Sequence, residues 1–134
     1  MDYVDVPVRV RYADTDRMGV VYYGNYPQFF EMGRTEFMRE KGFVYREFEE
    51  QGYHLVVTAL EVKYYNSATY DDLLIVRTRV GDVQSRALTF YYTVMKDEVR
   101  VVEGKTRHVC VTRDMKPARF PDALMEVLHN VRSA

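Results

Sequence analysis

The chain has 134 residues, of which 47% are hydrophobic and 29% charged, and its net charge is −1. This length suits a single domain over residues 1–134, and such a chain buries roughly two-thirds of its unfolded surface in forming a core. The scattered, nearly balanced charge excludes the basic footprint of a general nucleic-acid-binding protein. The single cysteine, Cys110, excludes an internal disulfide. Without a secretion signal or a long apolar run, we expect a cytoplasmic protein with no stable membrane insertion.

The first predicted element is a strand. Apolar residues alternate with mostly polar ones from Val4 to Tyr12, which is typical of a strand with one buried face, so Tyr12 is expected on that face. Pro7 indicates an edge strand, because proline lacks the N–H that a central strand donates to its neighbour.

The next predicted element is the most strongly patterned helix in the chain. Pro27 belongs in its first turn, so the helix begins no earlier than about Gly24, and Gly42 ends it. A bulky apolar face predicts a central helix packed into the concave side of a sheet. A short second helix is predicted over residues 45–51. The apolar face of the long helix consists of Tyr26, Phe29, Phe30, Gly33, Phe37 and Met38.

The remainder of the chain has mainly strand patterns. Short connections favour antiparallel neighbours in a meander, and Gly104 indicates a bulge. A final amphipathic helix is predicted over residues 121–131. The element order predicts an α+β fold in which a five-stranded antiparallel sheet wraps a long central helix. The four predicted strands lie near residues 54–65, 73–80, 87–96 and 99–112.

A loop rich in candidate functional residues joins the first strand to the long helix. We expect Asp14 to form a turn, since aspartate often accepts nearby backbone N–H groups. Asp16 would be ionised at neutral pH, and it could attack an acyl carbon directly or deprotonate a water. A calcium-binding loop is disfavoured, because Met18 occupies a liganding position and Asn25 stands where a bidentate glutamate is needed. The sequence therefore predicts acyl-transfer chemistry without a metal.

The start of the long helix is the second candidate feature. Backbone N–H groups near residues 21–23 would be available to a developing oxyanion. Gly19 allows close approach of a ligand to the backbone or a positive φ angle. The carboxylate of Asp16 and the start of the helix lie close together in the chain. The sequence therefore predicts one site in which the carboxylate attacks or activates water and the helix start binds the oxyanion.

The motif has a family resemblance. Residues 11–26, Arg-Tyr-Ala-Asp-Thr-Asp-Arg-Met-Gly-Val-Val-Tyr-Tyr-Gly-Asn-Tyr, resemble the signature of hotdog-fold acyl-CoA thioesterases. The similarity is to the branch of 4-hydroxybenzoyl-CoA thioesterase and of bacterial short-chain acyl-CoA thioesterases encoded near cell-envelope genes. Phe29-Phe30-Glu31-x-x-Arg34 and the turn over residues 66–73 match further parts of that pattern.

The resemblance implies roles for individual residues. The family's catalytic carboxylate falls on Asp16, and its carbonyl-polarising backbone N–H falls on Tyr23. Arg86 is the nearest match to the basic residues that contact coenzyme A phosphates. We also expect three residues of the motif to contact the substrate, namely Gly19, Val20 and Val21. The resemblance implies an acyl-CoA substrate and no cofactor, with the acyl group left open.

The resemblance also implies an assembly. The family forms homodimers whose sheets join edge to edge, often paired into homotetramers, with active sites at the dimer interface. Two alternatives stay open: the acyl donor is an acyl carrier protein, or the domain binds acyl groups without catalysis. An acidic carrier protein would favour a basic patch, for which the candidates are Arg17, Arg86, Arg113, Lys116 and Arg119.

Overall fold

A computed structural model describes residues 2–132. Two 3₁₀ turns, Tyr12–Asp14 and Tyr23–Asn25, lie in the loop after the first strand. Among the described residues, no helix is long and apolar enough to span a membrane. The regular elements in chain order are β1 (Val4–Arg9), α1 (Tyr26–Glu40), α2 (Tyr45–Glu50), β2 (Tyr53–Tyr64), β3 (Leu73–Val83), β4 (Ala87–Lys96), β5 (Val99–Thr112) and α3 (Asp122–Val131).

The five strands form one antiparallel sheet in the order β1-β3-β4-β5-β2. The predicted α+β fold, with the sheet around a long central helix, is confirmed. The predicted four-strand meander is wrong for β2, which pairs with β5 at the far edge of the sheet. Residues 65–72 therefore form a crossover instead of a hairpin turn. The N–H of Tyr65 donates to the Val101 carbonyl and that of Asp71 donates to the Val10 carbonyl, so this segment runs from β5 to the end of β1.

The long helix buries the predicted face. Gly33 allows α1 to approach the sheet, because a Cβ at this position would lie 2.4 Å from Oγ1 of Thr78. The sheet can therefore curve closely around the helix, and this contact sets the depth of the core. All six residues of the predicted face are buried, namely Tyr26, Phe29, Phe30, Gly33, Phe37 and Met38.

The bulge predicted at Gly104 is wrong. Gly104 pairs in regular register with Val62 on one side and Tyr92 on the other. Its role is steric, because a Cβ there would lie 2.4 Å from the Phe30 ring. The Phe30 ring itself stacks on Tyr92, with the ring centroids 4.3 Å apart. The glycine therefore makes room for an aromatic pair between α1 and the sheet.

The first strand is shorter than its apolar alternation suggests. β1 is an edge strand, as Pro7 indicates, and it ends at Arg9. The N–H of Val10 donates to the Asp72 carbonyl of the crossover, and the chain then enters a 3₁₀ turn. Tyr12, predicted on the buried face, is 78% exposed. The turn rotates this side chain away from the sheet, so the alternation no longer determines which way it faces.

Candidate active site

The carboxylate of Asp14 organises the loop between β1 and α1. It is buried, and its Oδ2 accepts the backbone N–H of Arg11 at 2.8 Å while Oδ1 accepts the Arg11 guanidinium at 2.9 Å. Burial acts to raise the pKa of Asp14, but the hydrogen bonds and charge of Arg11 outweigh it and lower the pKa. The Asp14 carbonyl also accepts the side-chain amide of Asn25 at 2.9 Å, which ties the loop to the start of the helix. The predicted turn-forming role of Asp14 is confirmed.

The carboxylate of Asp16 lies in a tight turn closed by Gly19. The backbone N–H of Gly19 donates to the Asp16 carbonyl at 3.0 Å, and Gly19 adopts a φ of 80°, which glycine tolerates without strain. Oδ1 of Asp16 accepts the N–H of Met18 at 2.8 Å. The side chain therefore shapes the turn with one oxygen. The other oxygen has no protein donor within residues 2–132, and the residue is half-buried.

Asp16 lies at one wall of a groove of about 410 Å³, which is within the range of small-molecule sites. The loop supplies an apolar wall, the start of α1 supplies tyrosines, and the end of β2 with the crossover closes the remaining side. This lining combines one carboxylate with mainly apolar and aromatic surface. The lining residues are Asp16, Met18, Val20, Val21, Tyr23, Tyr26, Tyr64, Tyr65, Asn66 and Ser67.

Three of the tyrosines form a cluster in this groove. The ring of Tyr64 packs edge-on against Tyr23 and Tyr26, with centroid distances of 6.4 and 5.9 Å. The hydroxyl of Tyr64 donates to the backbone carbonyl of Tyr23 at 2.8 Å. Burial, with a smaller contribution from Tyr64, raises the pKa of Tyr26 to about 12, and burial also raises the pKa of Tyr64. Tyr26 and Tyr64 therefore carry their phenolic protons at neutral pH.

The start of α1 presents backbone N–H groups beside the groove. The 3₁₀ turn Tyr23–Asn25 leads directly into α1, and the N–H of Asn25 donates to the Tyr22 carbonyl at 2.8 Å. The first N–H groups of a helix have no acceptor within the helix, and the helix dipole makes this end attractive to negative charge. Across the part of the chain that the structure describes, the N–H of Tyr23 has no protein acceptor. A substrate oxygen could occupy that position.

The thioesterase-like superfamily model matches residues 10–128. This chain belongs to that family. It is 37% identical over 128 residues to the acyl-CoA thioesterase YbgC of Haemophilus influenzae, and the match covers 94% of each protein. This agreement in family, together with the fold, makes the chain a thioester hydrolase.

Solved structures of related proteins are similar to this chain over the whole fold. The hypothetical protein TT1821 from Thermus thermophilus superposes with a TM-score of 0.93 at 32% identity, covering 98% of this chain and 99% of that one. The DHNA-CoA thioesterase of Staphylococcus aureus superposes with a TM-score of 0.89 at 32% identity over 100% of both chains. The predicted membership of the hotdog-fold thioesterases is confirmed.

Within one subunit of this thioesterase, Arg86 lies far from the groove. It is exposed, and its carbonyl accepts the N–H of Cys110, whereas Val101 marks the end of β5 beside the groove. Val101 and Cys110 are nine positions apart on an extended strand, a distance of roughly 30 Å. The other predicted site residues do come together: Val20, Val21 and Tyr23 line the groove with Asp16, and Gly19 forms the adjoining turn.

The basic residues considered for a carrier-protein surface divide into two groups. The segment after β5 folds back on the start of β4, because the N–H of Ala118 donates to Cys110 and that of Phe120 donates to Ser85. This brings Arg86 near the segment that carries Arg113, Lys116 and Arg119. Arg17 lies in the motif loop, at the opposite end of the sheet, so it does not belong to that group within one subunit.

Tyr64 and Tyr26 are two of the groove residues that sequence reasoning missed. Strand propensity and core packing explain a tyrosine at either position, so neither sequence position indicates a site. Their roles follow from the pairing of β2 with β5, which carries the end of β2 to the start of α1.

Proposed function

We propose that this thioesterase hydrolyses an acyl-CoA thioester to a carboxylic acid and free coenzyme A. Asp16 acts as the nucleophile or the general base, and the backbone N–H of Tyr23 polarises the thioester carbonyl. One observation carries the proposal: a half-buried carboxylate with a free oxygen shares a groove with the N-terminus of a helix. The carboxylate supplies negative charge, and the helix start stabilises the charge that develops on the carbonyl oxygen.

Two routes balance in atoms and charge. In the direct route, a bond forms between Asp16 and the acyl carbon while the carbon–sulfur bond breaks, and the thiolate leaves with the electron pair. Water then hydrolyses the resulting anhydride to the carboxylic acid and the Asp16 carboxylate, and the remaining proton of the water passes to the thiolate. In the second route, water attacks the acyl carbon and Asp16 accepts its proton; the carbon–sulfur bond then breaks, the thiolate leaves with the electron pair, and the proton on Asp16 passes to it. Either route uses carboxylate, backbone and water, so we propose that the enzyme needs no cofactor.

We further propose that two subunits complete each site, in a homodimer or a homotetramer. β2 is an edge strand, and its apolar residues Val57, Leu60 and Tyr64 are 51%, 50% and 50% exposed. An unpaired edge with apolar side chains favours pairing with a second edge. If the β2 strands of two subunits paired antiparallel, the sheet end that carries Arg86 in one subunit would lie towards the groove of its partner. This would allow Arg86 to contact coenzyme A phosphates across the interface. The cytoplasmic location stays a prediction.

A second candidate donor is an acyl carrier protein. The grouping of Arg86 with the basic segment after β5 favours it, since such a surface would complement an acidic carrier. Comparison of hydrolysis rates for the same acyl group on coenzyme A and on the carrier protein distinguishes the two donors. Lys116→Glu should slow only the carrier-protein reaction if this second candidate holds.

Replacement of Asp16 by asparagine tests the proposed chemistry. The asparagine Oδ1 can still accept the Met18 N–H, so the turn is retained while the negative charge is lost. Loss of a positioned acid–base group typically costs 10²–10⁴-fold, so we expect thiol release from a panel of acyl-CoAs to fall by about 100-fold or more. Asp82→Asn, an exposed change on β3, is the matched control and should retain full activity.

The outcomes separate the parts of the proposal. Full activity of Asp16→Asn would exclude Asp16 as nucleophile or base. Saturable acyl-CoA binding by the wild type without thiol release would exclude hydrolysis of that class of substrate and favour a binding module.

A further inference from the structure

The Tyr23 carbonyl lies just before α1. Tyr23 belongs to the 3₁₀ turn Tyr23–Asn25, in which the carbonyl of residue i pairs with the N–H of residue i+3, and α1 begins at Tyr26. A carbonyl oxygen has two lone pairs, so that of Tyr23 can accept a further hydrogen bond from outside the turn. This carbonyl lies beside the N–H groups proposed to polarise the substrate.

Tyr64 supplies a donor from another part of the fold. It is the last residue of β2, where it pairs with Val102, and its hydroxyl donates to the Tyr23 carbonyl at 2.8 Å. Its ring is held against Tyr23 and Tyr26 by edge-on contacts. Packing alone would need only the ring, so phenylalanine would serve as well. The hydroxyl therefore has a function that the ring does not.

The consequence concerns the direction of the N–H groups at the helix start. A peptide group is planar and trans, so its carbonyl and its N–H point in opposite directions. The hydrogen bond from Tyr64 to the Tyr23 carbonyl therefore orients the N–H of Gly24. The hydrogen bond from the Asn25 N–H to the Tyr22 carbonyl, at 2.8 Å, orients the N–H of Tyr23 in the same way. Two successive N–H groups are thus held in place at a helix N-terminus.

We infer that Tyr64 is a positioning residue of this thioesterase, whose hydroxyl binds the Tyr23 carbonyl and holds the carbonyl-polarising end of α1 in place. The inference rests on the proposed function, since it assigns Tyr64 an effect on the N–H groups proposed to stabilise the oxyanion. The hydroxyl acts through the peptide group and does not contact the reacting atoms in this scheme.

The experiment compares steady-state kinetics of Tyr64→Phe with those of the wild type on an acyl-CoA that the wild type hydrolyses. A small displacement of catalytic groups lowers the rate of the chemical step, so we expect kcat to fall by about 10-fold. Loss of an interaction that matters only in the transition state leaves KM nearly unchanged, within about twofold. The thermal midpoint should stay within about 4 °C of the wild type, because one half-exposed hydrogen bond is lost.

Tyr70→Phe is the matched control. Tyr70 is also exposed, at 56%, and its ring packs on Tyr12 with a centroid distance of 5.3 Å, outside the groove. Removal of this hydroxyl should leave both kcat and KM at wild-type values. An equal loss of kcat in the two variants would overturn the inference, since the effect would then not depend on the Tyr23 carbonyl.

Wild-type kcat in Tyr64→Phe would also overturn the inference. If the wild type itself releases no thiol, the proposed function fails and the inference fails with it. Normal wild-type turnover with an unaffected Tyr64→Phe variant rejects the inference alone.

Discussion

At the scale of single residues, the two aspartates of the loop differ in their surroundings. Asp14 is buried and bound to Arg11 by three hydrogen bonds, so its carboxylate is fully committed to holding the loop. One carboxylate oxygen of Asp16 accepts the Met18 N–H. The other has no donor among the described residues, and Asp16 lines the groove. The same side chain thus performs a structural role at one position and is available for chemistry two residues later.

The buried histidine His108 is a second residue whose surroundings determine its chemistry. Its Nε2 lies 2.8 Å from Oγ1 of Thr106, which lies 2.6 Å from the Tyr92 hydroxyl, and the ring packs edge-on against Phe90. Burial, assisted by the positive charge of Arg34, lowers the pKa of His108 to about 4. The folded protein therefore holds this histidine neutral well below the pH at which an exposed histidine becomes charged.

This lowered pKa predicts a pH dependence of stability. Between pH 6.5 and about 4 the unfolded chain binds a proton at residue 108 and the folded protein does not. The free energy of unfolding is therefore not reduced by this histidine above pH 6.5. It falls as the pH decreases towards 4, by about 3 kcal/mol in total. Urea unfolding at about pH 7 and about pH 4.5 measures it. His108→Gln should show a smaller decrease than wild type, whereas the exposed His129→Gln should match wild type. An unchanged decrease in His108→Gln would contradict the assignment.

At the scale of elements, α1 and the sheet fit together through glycines and aromatic rings. Gly33 on α1 faces Thr78, and Gly104 on β5 faces the Phe30 ring, each without room for a Cβ. These contacts bring the helix close to the sheet at two points. The start of α1, and with it the N–H groups beside the groove, is therefore positioned by core packing as well as by the loop.

Gly104→Ala tests this contact. The added Cβ would lie 2.4 Å from Phe30 and 3.1 Å from the Glu61 carbonyl. Because the ring is held by stacking on Tyr92, we expect a destabilisation of about 2 kcal/mol, as is usual for an overpacked core. Chemical denaturation measures it. In a Phe30→Leu background the smaller, flexible side chain can move aside, so the same substitution should cost less. An equal cost in both backgrounds would show that Phe30 is not the limiting contact.

At the scale of the whole molecule, the exposed β2 edge is the feature that an isolated subunit leaves unexplained. β1, the other edge strand, is short and contains Pro7, which reduces its capacity to pair with a further strand. β2 has twelve residues and carries half-exposed apolar side chains. The two edges therefore differ in their capacity to pair, and the proposed dimer uses the longer one.

Light scattering on purified protein tests the proposed assembly. We expect the wild type to have the mass of a dimer or tetramer. Leu60→Lys places a charge on the β2 edge, so it should shift the mass towards the monomer and reduce thiol release, because each site would lack its second subunit. Leu73→Lys, a comparably exposed change on β3, at 45%, should keep the wild-type assembly. A monomeric wild type with full activity would reject the shared site.

The amino-acid sequence by itself determined the elements of this protein and most of the loop that carries the proposed site. The buried face of α1 follows from apolar spacing, and the helix ends follow from Pro27 and Gly42. The turn-forming role of Asp14 and the proposed role of Asp16 come from a local motif. These features depend on residues close together in the chain, where spacing and backbone chemistry suffice for a prediction.

Only the tertiary structure decided the features that join distant parts of the chain. The pairing of β2 with β5 is one of them, since a short connection gave no sign of a crossover. That pairing places Tyr64 beside Tyr23. The space requirement at Gly104 likewise comes from a ring 74 positions earlier, Phe30. Such contacts depend on which surfaces the folded chain brings together, and local periodicity does not contain that information.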